Sequence, residues 1–478
     1  VAARFQKRFS ILSRARLLSF RRPSRMAALA LVATTALAAC GGPRTVTQPV
    51  EGGFVGSVAA DEPRAAQIAH DVLARGGNAA DAATALGLAL SVTLPSRASL
   101  GSGGACLAWR PGDATGQAFV FVPPAGAGNA AGADRPAAVP MLARGLFLLQ
   151  LRYGSVDLNG LFLPARDLAL HGVPVSGLLA SDLAVVQNAL LADEKARAIF
   201  TKSDGSVLGT DDLLVQTRLA GALERMRTAG VGDLYGGSLG QVFVTGANTA
   251  GGALDIQDLR SALATVQTPL TARAGGVDLS FLPPPADGGL GMALLYLAGG
   301  QGVRAEQVVA GWRSQHGGKT MNVADAQALL DSGHAPAGGG LAALPASTSY
   351  VVTDRTGETV ACALSMNNLF GTGRIAGSTG IVLAASPARR PQPLLAAGIA
   401  HVGTQQFRAA AAASGQNVAA DTAAIALHSA VAGVRPEVTQ GVGRANSVSC
   451  PAGLPGNAQS CFAWTDPRGT GLALPVGH

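Results

Sequence analysis

Apolar positions along this chain follow a helical period in some stretches and alternate in others. Ile68, Val72 and Leu73 fall on one helical face. Asp61-Glu62-Pro63 ahead of them predicts a helix start, with Asp61 as N-cap, an early acid and a first-turn proline. Gly76-Gly77 predicts its end. Asn78 then predicts the cap of a second helix over Ala79 to Val92, with Asp81 in its first turn. That helix carries Ala, Leu and Gly on nearly every side, so it is expected to be buried all round. The turn Gly101-Ser102-Gly103-Gly104 leads into a strand expected at Ala105–Trp109. Residues 124–140 read as a low-complexity loop, 141–230 as a run of helices, 280–289 (SFLPPPADGG) as a rigid proline turn and 335–343 as a flexible stretch. No repeat of 20–50 residues is present.

The most informative pattern comes late. Ser349 to Thr353 reads as a strand, Asp354-Arg355-Thr356-Gly357 as a turn, and Glu358 to Asn367 as a second strand. A hairpin of this kind pairs residues whose numbers sum to about 711–713. Ser347 then faces position 364–366, with Ser365 and Asn367 beside it. The pattern thus gathers three polar side chains at one end of a sheet.

The formal charge of +7 changes meaning once it is located. Residues 1–39 hold eight of the 36 basic residues and no acid, which leaves 28 against 29 acidic ones in the rest. A near-neutral body excludes a basic stripe for phosphates, and no nucleic-acid partner is expected. Arg21, Arg22 and Arg25 precede the apolar run Met26 to Ala39, too short for a stable membrane span but suited to a signal peptide over 1–39. The run ends Leu37-Ala38-Ala39-Cys40-Gly41-Gly42, which resembles a bacterial lipobox. Cys40 is therefore expected to carry lipid, with residues 40–50 as a tether and the protein held by its lipid at a membrane facing the periplasm. Of the other cysteines, Cys450 and Cys461 are expected to close a small disulfide loop in an oxidising compartment. Cys106 and Cys362, in apolar stretches, read as buried free thiols. No Cys or His spacing suggests a metal.

Two segments carry a resemblance to a known family. GGNAADAATALGLALSVTLPSRASLGSGG, within Ala65 to Gly104, resembles a signature of the γ-glutamyltransferases. STSYVVTDRTGETVACALSMNNLFGTGRIAGSTGI, within Pro345 to Ile381, resembles the start of that family's small subunit. PPPADGG at 283–289 and TDPRG at 465–469 are weaker echoes. The resemblance implies the N-terminal-nucleophile hydrolase fold, an α/β (α+β) four-layer αββα sandwich of two stacked, mainly antiparallel sheets. It implies a precursor that cuts itself into a large-subunit-like segment (51–346) and a small-subunit-like segment (347–478), intertwined as one domain. The new N-terminal hydroxyl is the nucleophile and its own α-amine the base, so no cofactor is called for. Carried over without gaps, the nucleophile falls on Ser347, with Thr348 as the backup one residue on. The polar support falls on Ser365 and Asn367, and the oxyanion loop on Ser414-Gly415.

The sequence also departs from the pattern. The arginine that takes the substrate's α-carboxylate in the family is replaced in Val120-Phe121-Val122-Pro123. The acid that takes the α-amino group falls near Arg389, and a paired serine is replaced around Pro393-Leu394. Losing those partners removes discrimination for a zwitterionic head group. Three functions therefore stand side by side: a γ-glutamyl hydrolase or transferase on a small amide or peptide, an amidase for a less charged acyl group, and a non-catalytic envelope lipoprotein.

Overall fold

Pro63 sits in the first turn of helix α1 (Pro63–Ala74), where its missing N–H leaves nothing unpaired. Glu62, not Asp61, is the N-cap: its carboxylate accepts from the Arg64 and Ala65 amides. The sequence placed the cap one residue early because both acids suit it; tertiary contacts take Asp61 elsewhere. Asn78 caps α2 (Ala79–Thr93) in a reciprocal box with Asp81, and every residue of α2 is buried.

The computed structural model describes residues 53–127, 133–302, 304–334, 336, 338–341, 346–388, 394–438 and 441–474. The expectations for the leader, the tether, Cys40 and Arg389 lie outside the described residues.

The longer helices that follow are α3 (Leu142–Tyr153), α4 (Leu158–His171), α5 (Gly177–Leu190), α6 (Thr217–Ala229) and α7 (Ser238–Thr249). Later come α8 (Gly288–Leu297), α9 (Ala305–Gln315), α10 (Val323–Ser332) and α11 (Ala419–Val431). The strands of the two large sheets begin with β1 (Gly56–Ala60), β2 (Gly103–Trp109), β3 (Gln117–Phe121), β4 (Thr265–Gln267), β5 (Leu270–Ala274) and β6 (Val277–Phe281). After them come β7 (Ser347–Asp354), β8 (Thr359–Ser365), β9 (Ala396–Val402), β10 (Gln406–Ser414), β11 (Arg444–Leu454), β12 (Phe462–Thr465) and β13 (Leu472–Leu474).

Of the two large sheets, one runs β13-β1-β7-β8-β2-β3-β4 and the other β12-β11-β10-β9-β6-β5. Both are antiparallel at every described pair. Side-chain alternation sorts three apolar layers. Val351, Ala361 and Ala363 of the first sheet meet Ile399, Ala410, Ala412 and Val448 of the second between the sheets. Tyr350, Val352 and Leu364 face helices from α1 to α7. Ala409, Ala411 and Ala413 face α8 to α11. The architecture is therefore the αββα sandwich. The small side chains of β10 let α11 and the facing sheet approach closely.

The hairpin forms in the expected register. Thr353 pairs with Thr359 and Ser347 with Ser365, a constant sum of 712. Strand β7 lies between β1 and β8, and β8 lies against β2, so residues before and after position 347 alternate within one sheet. Cys450 and Cys461 form the expected disulfide. The free-thiol reading of Cys106 and Cys362 is wrong. They are directly opposed in the β2–β8 ladder and form a second disulfide, fully buried on the helix side of the sheet. The pairing of β8 with β2, 256 residues apart in sequence, was what local patterns lacked.

Candidate active site

Ser347 opens β7 and Ser365 closes β8, and their register makes them neighbours. By the strand period both lie on the inter-sheet face, with Ser349 two residues on. Ser414 at the end of β10 and Asn446 on β11 fall on the same inner face of the opposite sheet, in phase with Ala412 and Val448. One end of the sandwich is thus lined by polar side chains from both sheets.

The hydrogen bonds there are specific. Ser365 Oγ donates to the carbonyl of Ala346 at 2.9 Å, the peptide that precedes Ser347. The Asn367 amide donates to Ser365 Oγ at 2.9 Å, which turns that hydroxyl's proton toward Ala346. Asn367 has φ 55°, in the left-handed region, and its Nδ2 donates to Ala385 O. Its Oδ1 is buried and has no partner among the described residues. An unpaired buried acceptor is costly, and here it lies two residues past Ser365. Ser347 itself is only 2% exposed, so the uncut chain covers it.

Thr348 is turned to the opposite face by the strand period, and its Oγ1 donates to Asp61 Oδ2 at 3.1 Å. That commitment favours Ser347 over Thr348 as the free hydroxyl. Asp61 also accepts from the Ser349 amide at 3.0 Å and from Asn446 Nδ2 at 2.8 Å. Burial pushes the Asp61 carboxyl above its ordinary value, against the pull of Asn446, Ser349, Arg97 and Ser414. Asn446 further donates to Ser349 Oγ at 2.9 Å, bridging the two sheets. Arg97, in the loop after α2, donates to the Ser347 carbonyl at 3.1 Å.

Sequence reasoning thus placed Ser347, Ser365 and Asn367 together, and the structure brings them together. Ser414 faces the Asp61 carboxyl. Gly415, at φ 122°, follows it into the short turn that starts α11; a Cβ there would meet the backbone of Val442 and Gly443. Asp61, Arg97 and Asn446 were missed as site residues. Asp61 stood in the sequence as a cap, and only long-range pairing reveals its role. Among the described residues no group of three or more His, Cys, Asp or Glu is arranged to hold a metal ion. The cleft lined by Lys195, Gln216, Arg218, Ile375 and Gly380 shares no residue with this cluster.

Comparison with known proteins decides the family. The family described as Gamma-glutamyltranspeptidase matches residues 65–328. The chain belongs to the γ-glutamyltranspeptidase family. Within it, the chain is 30% identical over 380 residues to the glutathione hydrolase proenzyme of Escherichia coli, covering 69% of this chain and 65% of that protein. It is 31% identical over 251 residues to glutathione hydrolase 3 of Arabidopsis thaliana, covering 50% of this chain and 39% of that one. The chain thus spans less than two thirds of either relative. In three dimensions it resembles a cephalosporin acylase from Bacillus halodurans, with TM-score 0.70 at 17% identity over 92% of this chain and 100% of the other. It also resembles the Helicobacter pylori γ-glutamyltranspeptidase, with TM-score 0.51 at 24% identity over 61% of this chain and 95% of that one. These likenesses establish the N-terminal-nucleophile hydrolase fold.

Proposed function

We propose that this family member is a self-cleaving N-terminal-nucleophile amidohydrolase with Ser347 as nucleophile, acting on a γ-glutamyl or other acyl amide. The observation that carries this reading is the bond from Ser365 Oγ to the Ala346 carbonyl, with Ser347 next in the chain and in register with Ser365. Ser347 Oγ attacks the Ala346 carbonyl carbon, and charge develops on the oxygen that Ser365 already bonds. The Oγ proton passes to the Ser347 nitrogen as it leaves, giving an ester that water hydrolyses to an Ala346 carboxylate and the free Ser347 hydroxyl. The freed α-amine, with an ordinary pKa of about 7.7–8.0, then serves as base for the same hydroxyl in each turnover. Asn367 Oδ1, buried and without a partner among the described residues, is suited to accept from that new amine. Ser414-Gly415 are assigned to the oxyanion loop.

A less charged acyl group is favoured over the zwitterionic γ-glutamyl head by two observations. Half-buried Val122 stands where the resemblance calls for an arginine. Leu394, where a serine pair is called for, is buried in an apolar contact with Val309 and Leu341. Arg97 does not compensate, because Asp182 already pairs with it. Glutathione is therefore expected to be turned over weakly.

For location, the proposal is a lipid anchor at Cys40 in the cell envelope. Two disulfides, which form and persist in oxidising compartments, support export. Among the described residues no helix is long and apolar enough to cross a membrane. The deciding experiment is a reducing denaturing gel of purified protein with N-terminal sequencing. A fragment beginning at Ser347 is expected. One beginning at Thr348 moves the nucleophile by one residue, and a single intact band in folded protein favours the non-catalytic reading.

A further inference from the structure

Two donors bracket Ser347. Ser365 Oγ bonds the carbonyl before it at 2.9 Å, and Arg97 Nη1 bonds the carbonyl of Ser347 itself at 3.1 Å. The arginine is braced. Its Nε and Nη2 make a two-pronged pair with Asp182 of α5, both at 2.8 Å, and Ser96 Oγ donates to the same carboxylate at 2.7 Å. The side chains are 17% and 7% exposed. Burial works against the guanidinium charge, but the bond and charge of Asp182 outweigh it, and Arg97 stays above its ordinary pKa. A planar fork held this way points its remaining donors in a fixed direction.

The direction matters because Ser347 lies beyond the end of one ladder. The β1–β7 pairing stops at Ala60 and Tyr350, so among the described residues only β8 flanks Ser347 as a strand neighbour. Once the bond to Ala346 is cut, Ser347 becomes a chain terminus, and termini fray unless tied down.

We infer that Arg97, braced by Asp182 and Ser96, is a positioning residue for the nucleophile. It fixes the peptide plane that follows Ser347 while the bond before it is attacked, and it keeps the new N-terminal residue in the sheet afterwards. The inference rests on the proposed self-cleaving reading. Arg97 touches no reacting atom and acts through the Ser347 backbone.

The test compares self-cleavage rates in protein whose melting is measured alongside. Arg97→Met should slow cleavage by roughly ten- to a hundredfold, the usual effect of losing a hydrogen bond to a charged donor. Arg97→Lys, which keeps a cationic donor, should recover part of that loss. Arg97→Met strands Asp182 without its partner and lowers stability, so the deciding variant is Arg97→Met/Asp182→Leu, which removes both charges. It should regain the wild-type melting temperature but not the wild-type rate. Recovery of the rate together with the melting temperature overturns the inference, because the pair then only holds the fold. So does an Arg97→Met protein that cuts as fast as wild type. A folded wild type that never cuts overturns the self-cleaving reading itself, and this inference with it.

Discussion

The β7–β8 hairpin has a buried polar cluster at each end, and the two are built differently. At the turn end, Asp354 accepts from the Ala79, Thr356 and Glu358 amides, Glu358 from the Ala80 amide, and Asp81 from Asn78 and Ser155. Among the described residues, no buried oxygen of these three acids lacks a partner. The donors are mostly the hairpin turn and the first amides of α2, where the helix end favours negative charge. At the open end, Asn367 Oδ1 and Asn446 Oδ1 are buried and have no partner among the described residues, and Asn367 sits at positive φ. The first cluster is closed and completes a fold junction. The second leaves acceptors without partners among the described residues, open to bond a further group. Burial of polar groups alone therefore does not mark a candidate site; at the open end the Ser347 and Ser365 hydroxyls and the unpaired acceptors lie together.

The largest effect expected at the open end is all or none. Ser347→Ala should abolish the cut, whereas Thr348→Ala should leave it, because the Thr348 hydroxyl is committed to Asp61. Both are read on a reducing gel. If Thr348→Ala alone blocks cutting, the open end is organised around the wrong residue. Next, Ser365→Ala removes the donor on the Ala346 carbonyl and should slow cleavage by about 10²- to 10³-fold. A rate within twofold of wild type would leave the open end no more reactive than the turn end.

The middle of the hairpin joins the two ends covalently to the rest of the sheet. Cys106 precedes the proposed cut and Cys362 follows it, so the products should migrate as one species without reductant and as two with it. The Cys450–Cys461 pair lies wholly in the second product and gives no such link. Cys106→Ala/Cys362→Ala should separate the products on a non-reducing gel and lower stability by about 2–5 kcal/mol in a denaturant melt. Products that separate without reductant in the wild type would show that this bond does not form.

What the sequence revealed follows sequence distance. The hairpin register needed only a short turn between two strands, so Ser347, Ser365 and Asn367 could be set together from spacing. The buried α2 was legible because no face of it carries charge beyond Asp81. Asp61 reaches Thr348 across 287 positions, Asn446 reaches Asp61 across 385, and Arg97 reaches Ser347 across 250. No local period encodes such meetings. The same limit hid the Cys106–Cys362 bond, since β2 and β8 become neighbours only in the finished sheet. Asp61 shows how a local rule misleads: Asp, Glu and Pro in a row suit a helix start, and the structure uses only the last two for it.

The smallest effect belongs to the turn end and changes with pH. Burial, and then the charge of Asp354, push the Glu358 carboxyl from an ordinary 4.5 up to about 9. The folded protein therefore keeps a proton that the unfolded chain gives up. The stabilisation from this proton is full below pH 4.5, declines as pH rises above it, and is gone above about pH 9. Glu358→Gln puts a neutral amide of the same shape there, and its oxygen still accepts from the Ala80 amide. At about pH 5 the variant should match wild type within about 1 kcal/mol, since both side chains are neutral in the fold. Toward pH 9 the variant should become the more stable, because only wild type then has to bury a charge beside Asp354 or hold its proton against the solution. Denaturant midpoints at the two pH values measure this. A variant less stable than wild type by the same margin at both would mean that Glu358 is an anion in the fold, held by the α2 N-terminus. The turn end would then owe its closure to the helix N-terminus rather than to a protonated Glu358.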